Sequence, residues 1–290
     1  MLKHAQTLLE RGACLEYRDL PANVRASVPA DLDCRPLEPS AGAEILSTVP
    51  RWRRANAIPT VSEDPWILPL LENHPADVVI SSGAMVALFN THGEDFGPHW
   101  DIPVIVKEIV SAKGETRRVV FIDKPLLKQG MSVREKNQVY YDAVFESLSA
   151  TSGTDIKVDF ETRKEHPEPA VPQEAPLKDL ACENLTYNLW TFGSLQILIR
   201  CKIHGVTKDP TSKYNQLRMV GMKTKLEMDY ETGGATEEVT IDETARWWIY
   251  SYIRPDAHLI LGRVDVRTSQ IISVERWDMR RIMPTVCAYK

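Results

Sequence analysis

Residues 184–204 read NLTYNLWTFGSLQILIRCKIH, and this stretch decides the fold. Leu195, Ile197, Ile199, Cys201 and Ile203 alternate almost without error with Gln196, Arg200 and Lys202, the period of two that turns one side of an extended chain toward a core. LTYNLW precedes it across a Phe192–Gly193 break, so two strands flanking a turn are predicted, the second of them half-buried.

Downstream, QLRMVGMKTKLEMDY (216–230) reads as a third strand. Its apolar phase slips at Gly221, as a bulge would require, and Lys223 and Lys225 are expected to face solvent. TIDETARWWIYSYIRP (240–255) opens with Thr240 and Glu243 in capping-box spacing and stops before Pro255, which predicts a helix. HLILGRVDVRT (258–268) and QIISVERWDM (270–279) read as two more strands.

Upstream, Ser62, Glu63 and Asp64 before Pro65 announce a short helix in WILPLLENH (66–74), and Ser81 with Ser82 caps a second one in AMVALF (84–89). IPVIVKEIV (102–110) and RRVVFID (117–123) are β-branched runs joined through Gly114, a predicted strand pair. SVREKNQVYYDAVFESLSA (132–150) carries Ser132 and Glu135 as a capping box. Tyr140, Tyr141, Val144, Phe145 and Leu148 recur along it at helical spacing.

Composition change marks the organisation. Residues 1–60 mix short helical patterns with Pro21, Pro29, Pro36, Pro39, Pro50 and Pro59 and read as a segment wrapping a surface. Residues 153–178 hold Pro167, Pro169, Pro172 and Pro176 among glutamates, an acidic linker in which neither helix nor sheet is favoured. The expected plan is a first α/β domain at 61–152 and a second α+β domain at 179–290, the two parts joined by that Pro/Glu-rich linker. The fold class is α+β, with mixed and antiparallel sheets and a few covering helices.

The chain has 290 residues, 43% of them apolar, and seven tryptophans, enough for substantial cores. A net charge of −5 argues against broad affinity for nucleic acid through the mean field. Cys14, Cys34, Cys182, Cys201 and Cys287 are scattered and odd in number, the usage of reduced thiols in cytosol or nucleus. Glu10, Arg11 and Glu16 interrupt what a signal peptide would need, and no apolar run reaches membrane-spanning length, so neither export nor membrane insertion is expected.

Four groups of residues call for a chemical reading. His92, Glu94, Asp95, His99 and Asp101 gather two imidazoles and three carboxylates in one loop, a ligand set for zinc or manganese, although a Gly/Pro-rich turn exposes polar residues for ordinary reasons. Arg51, Trp52, Arg53 and Arg54 interleave cations with an aromatic, which suits stacking on RNA and equally suits a solvated turn. Arg276, Trp277, Arg280 and Arg281 form an arginine-flanked tryptophan of the kind that anchors partners, or else a charge-protected edge strand. Trp247 and Trp248 diverge by about 100° on their helix, so one is a candidate partner contact while a wide core face could shelter both. The common phosphate-loop, dinucleotide, zinc-protease, CxxC, hydrolase-elbow and EF-hand signatures are absent.

WDIPVIVKEI, FIDKPL with MSVREKN, YNLWTFGSLQILIRCKIHG and the closing GRVDVRTSQIISVE together resemble the C-terminal domain of little elongation complex subunit 2, over about residues 60–280. The resemblance implies a nuclear, non-catalytic scaffold subunit that needs no cofactor. It implies as partners an ELL-type elongation factor and a large scaffold subunit, in support of small nuclear RNA gene transcription by RNA polymerases II and III. Two other classes stand beside it: a metal-dependent hydrolase built on the His92 to Asp101 loop, and an RNA-binding module using Arg51 to Arg54 and the Arg280 to Arg281 region.

Overall fold

The computed structural model describes residues 2–11, 15–17, 24–25, 59–89, 100–110, 114–126, 133–152, 184–208, 217–227, 236–255, 257–279 and 281–282. Its strands are β1 (Leu2–Arg11), β2 (Leu15–Tyr17), β3 (Val24–Arg25), β4 (Val78–Ser81), β5 (Val104–Val110), β6 (Thr116–Ile122), β7 (Ala150–Ser152), β8 (Asn184–Phe192), β9 (Leu195–Ile203), β10 (Gly205–Lys208), β11 (Leu217–Glu227), β12 (His258–Asp265) and β13 (Gln270–Trp277). The helices are α1 (Ile67–Asn73), α2 (Ser82–Phe89), α3 (Val133–Ser149) and α4 (Ile241–Tyr252).

One sheet runs β1-β8-β9-β4-β6-β5 and the other β3-β13-β12-β11-β10-β2-β7. Parallel pairs (β4 with β6 and β9, β11 with β12) sit among antiparallel ones, so the α+β class with mixed sheets is borne out. Both sheets take strands from both sides of residues 153–178, which themselves lie outside the described residues.

The first sheet is covered on each face. Trp66, Ile67, Leu70 and Leu71 from α1 and its approach pack on Val79, Phe121, Tyr187 and Leu198. On the other face, Ala84 and Met85 of α2 join Ile249 and Ile253 against Ile80, Trp190, Ile199 and Cys201. Burial on both sides is why β9 is buried continuously from Leu198 to Cys201 rather than on alternate residues. The half-buried strand expected from its period is thus a fully covered one in the middle of the sheet.

The second sheet is likewise sandwiched. Tyr141, Val144 and Phe145 of α3 meet Val220, Met222, Leu226, Ile260 and Val264. Trp247 and Tyr250 of α4 meet Leu259, Leu261 and Trp277 on the opposite face. The α4 helix therefore lies between the two sheets, and because successive residues turn by about 100° it can serve both. Its capping box is present: Glu243 N–H donates to Thr240 Oγ1 at 3.2 Å and Glu243 Oε2 accepts from Thr240 N–H at 2.9 Å.

Three sequence expectations are corrected. No register shift occurs along β11 against β10 or β12, so the bulge at Gly221 is not there; a strand buried on both faces has no single apolar phase to keep. Lys225, expected in solvent, is 1% exposed. Residues 2–11 form β1 rather than a helical pattern, because antiparallel pairing from Leu2 with Phe192 to Arg11 with Leu185 outweighs local propensity.

Candidate functional site

The chain crosses from one sheet to the other at His204: β9 ends at Ile203 and β10 begins at Gly205. The crossing point is buried and polar. Met222 N–H donates to His204 Nδ1 at 3.2 Å, and Tyr250 Oη lies 3.1 Å from the same nitrogen. Tyr250 fits here because Gly221 leaves room; a Cβ at Gly221 would stand 2.6 Å from Tyr250 Cε1.

Charged groups close around this pair. Lys202 Nζ meets Glu146 Oε1 at 2.9 Å, and Glu146 Oε2 is 3.9 Å from His204 Nε2. Lys223 Nζ is 3.5 Å from Asp142 Oδ2 and 5.2 Å from the Tyr250 ring centre. The Arg254 guanidinium carbon lies 3.5 Å from the centre of the same ring, and the group donates to the carbonyls of Lys202 and Tyr250 and to Ser82 Oγ. Asp142 Oδ1 also accepts from Thr224 N–H at 3.0 Å and Thr224 Oγ1 at 2.6 Å, while Gln138 reaches Thr224 as well.

Burial pushes the His204 pKa well below its ordinary value; Glu146 opposes this, and Lys202, Lys223 and Arg254 add to it. The ring is neutral at neutral pH, with its Nδ1 lone pair held by a backbone donor. The arrangement is a clasp that ties α3, β9, β11 and α4 together. Below the unfolded-chain value of about 6.5 the unfolded state binds a proton that the folded state refuses, so stability falls as pH drops through that range. Urea unfolding between about pH 7.5 and 5.5 should show this loss, and His204→Asn, whose side-chain oxygen can replace Nδ1 as acceptor, should flatten it. An unchanged slope in the variant would remove His204 as the cause.

Elsewhere the cysteine expectation can be read at one position. Cys201 is a buried free thiol 3.4 Å from the Ile253 carbonyl, and burial raises its pKa against the pull of Arg254, Asn188 and Arg200.

Of the residues singled out from sequence, Arg51, Trp52, Arg53, Arg54, His92, Glu94, Asp95, His99 and Arg280 lie outside the described residues. Asp101 is exposed, and its carbonyl accepts from Leu126 N–H at 2.8 Å. Among the described residues, no group of three or more His, Cys, Asp or Glu is placed to hold a metal ion. Trp247 and Trp277 meet edge to face with centroids 5.5 Å apart, both in the core. Trp248 stacks on Tyr252 at 5.0 Å. Trp277, read as a candidate partner anchor, is buried; its Nε1 donates to Glu275 and Arg281 lies 4.3 Å over its ring, leaving Arg276 and Arg281 as the exposed members at that end. The clasp residues were missed in the sequence because Asp142, Glu146, His204 and Tyr250 come from segments that meet only in space.

Residues 175–290 match the family described as NMDA receptor-regulated gene protein 2 C-terminus. Little elongation complex subunit 2 of Bos taurus is 30% identical over 82 residues, which is 28% of this chain, and the human protein of that name is 29% identical over the same length. The chain spans about 8% of the length of these curated relatives. Among solved structures, S. pombe Rai1 superposes with a TM-score of 0.54 at 9% identity over 96% of this chain and 72% of that one. A mutant S. pombe Rai1 in complex with 3'-FADP gives 0.55 at 10% identity, over 100% and 79% of the two chains. These likenesses concern the fold. Over residues 175–290 the resemblance to the C-terminal domain of little elongation complex subunit 2, first read from the strand pair and the closing strands, is thereby borne out.

Proposed function

We propose that the chain acts as a non-catalytic scaffold subunit of a nuclear transcription elongation complex that serves small nuclear RNA genes, holding an ELL-type factor and a large scaffold subunit. The observation that carries this reading is the family match over residues 175–290, with relatives named as subunit 2 of the little elongation complex. The sheet junction supports it: Lys202, Lys223 and Arg254 are each engaged by a neighbouring carboxylate, carbonyl or hydroxyl, an arrangement suited to fastening structure. Among the described residues no helix is long and apolar enough to cross a membrane.

The test is affinity purification of the tagged full chain from nuclear extract with mass spectrometry. Recovery of elongation factors of the ELL type with a large scaffold protein is the expected result, and recovery of no transcription component would overturn the proposal. The same preparation, incubated with RNA and magnesium or manganese, is expected to show no turnover. Metal-dependent hydrolysis that persists through purification to homogeneity would overturn the non-catalytic part.

A further inference from the structure

The strand β5 closes one end of the first sheet and, among the described residues, pairs with β6 alone. Asp123 N–H donates to the Pro103 carbonyl at 3.0 Å, and Pro103 and Asp123 continue the register that sets Val104 opposite Ile122. In an antiparallel pair hydrogen-bonded positions alternate, so Ile105, Lys107 and Ile109 bond to β6. The N–H and C=O groups of Val104, Val106, Glu108 and Val110 point away from the sheet. The same four residues turn their side chains outward: Val104, Val106 and Val110 are 57%, 58% and 57% exposed. Lys107, the residue that would ordinarily guard such an edge, is turned inward, donating to the Ser62 carbonyl and lying 5.4 Å over the Phe121 ring.

We propose that this edge takes up an extended segment of a different protein as an added strand. The segment would carry β-branched apolar side chains facing Val104, Val106 and Val110, and a lysine or arginine facing Glu108. The inference rests on the scaffold reading above and names its docking surface. Main-chain hydrogen bonds to the free edge supply affinity and the alternate side chains supply register. A second copy of this chain is a poor occupant. Antiparallel pairing about a two-fold axis places residues of the same face opposite each other. Of the registers that overlap at least five residues of β5, centring on Lys107 or Glu108 opposes like charges, and centring on Val106 sets Val104 against Glu108 twice. The Glu108 carboxylate pairs with Arg118 at 3.3 Å, both well exposed, so a partner cation can join it without desolvating a buried charge.

The experiment compares three full-length tagged chains in nuclear extract: wild type, Val106→Pro, and the triple Val104→Lys, Val106→Lys, Val110→Lys. Proline at 106 removes an outward donor only, so pairing with β6 and the thermal midpoint should be retained. A photocrosslinker at position 106 of the wild-type chain locates the bound segment by mass spectrometry. The expected result is a crosslink to an extended β-branched segment of another protein, with its recovery reduced about tenfold or more in both variants at near-unchanged thermal stability. Equal recovery by folded variants overturns the inference and leaves the scaffold reading in place. A wild-type chain that retains nothing overturns both, and a crosslink to a second copy of the chain overturns the choice of occupant and with it the inference.

Discussion

Glu227→Ala is expected to destabilise the fold by about 3–5 kcal/mol, the cost of removing one partner from a buried ion pair. The carboxylate is fully buried at the end of β11; Oε1 accepts from Arg263 at 2.5 Å and Oε2 from the Glu237 N–H at 2.6 Å. Arg263 reaches Glu275 at 2.7 Å as well, and the neighbouring Lys225 holds Glu237 at 3.1 Å and Glu243 at 3.3 Å. Burial pushes the Glu275 carboxyl up, but hydrogen bonds from Arg263 and Trp277 outweigh it and hold its pKa below the ordinary value. Truncation at Glu227 leaves Arg263 half-compensated and one main-chain donor without its acceptor. Urea unfolding measures the loss. The double variant Glu227→Met, Arg263→Met should cost less than the sum of its parts, since both ends of one interaction go together. A single-variant loss under about 1 kcal/mol would mean that water reaches this network and that the burial described here is wrong.

Phe145→Ala should cost about 3–5 kcal/mol, the range for deleting a large core aromatic. The side chain is 1% exposed and seats on β12 where Gly262 has no Cβ; one built there would meet Phe145 Cε2 at 2.8 Å. Gly262→Ala alone is therefore expected to cost about 1–3 kcal/mol through overpacking. In a Phe145→Ala background the added methyl enters a cavity, so its cost should shrink or reverse. Chemical denaturation of the four proteins of this cycle checks the sign of the coupling. Additive costs would show that α3 does not press on β12 at this point.

The elements that proved legible were those with a complete local signal. The α4 capping box, the turn at Gly193 with φ +61°, the β5–β6 pair and the apolar stripe of α3 each carry start, period and stop within a few residues. β4 was not legible: four residues between two helices are too few for a period, yet they occupy the middle of the first sheet. β1 was missed because its strand character comes from β8, not from its own composition. The solvent face assigned to Lys225 failed for a related reason, since two carboxylates supplied by later segments, Glu237 and Glu243, make its burial tolerable. The clasp at His204 shares this opacity, being assembled from α3, β9, β11 and α4.

The pairing of Leu2 with Phe192 sets a condition on how the chain comes into being. Synthesis at about 5–20 residues per second leaves β1 outside the ribosome for roughly 10–40 s before β8 exists to receive it. During that interval a ten-residue strand waits without a template, and the first sheet cannot acquire this border until well after β4, β5 and β6 have emerged. A topology in which early and late strands are neighbours folds slowly, because the loop entropy must be overcome before the distant contacts reward it. Production yield should therefore depend on whatever shelters the nascent β1, more than on the strength of any contact in the finished protein.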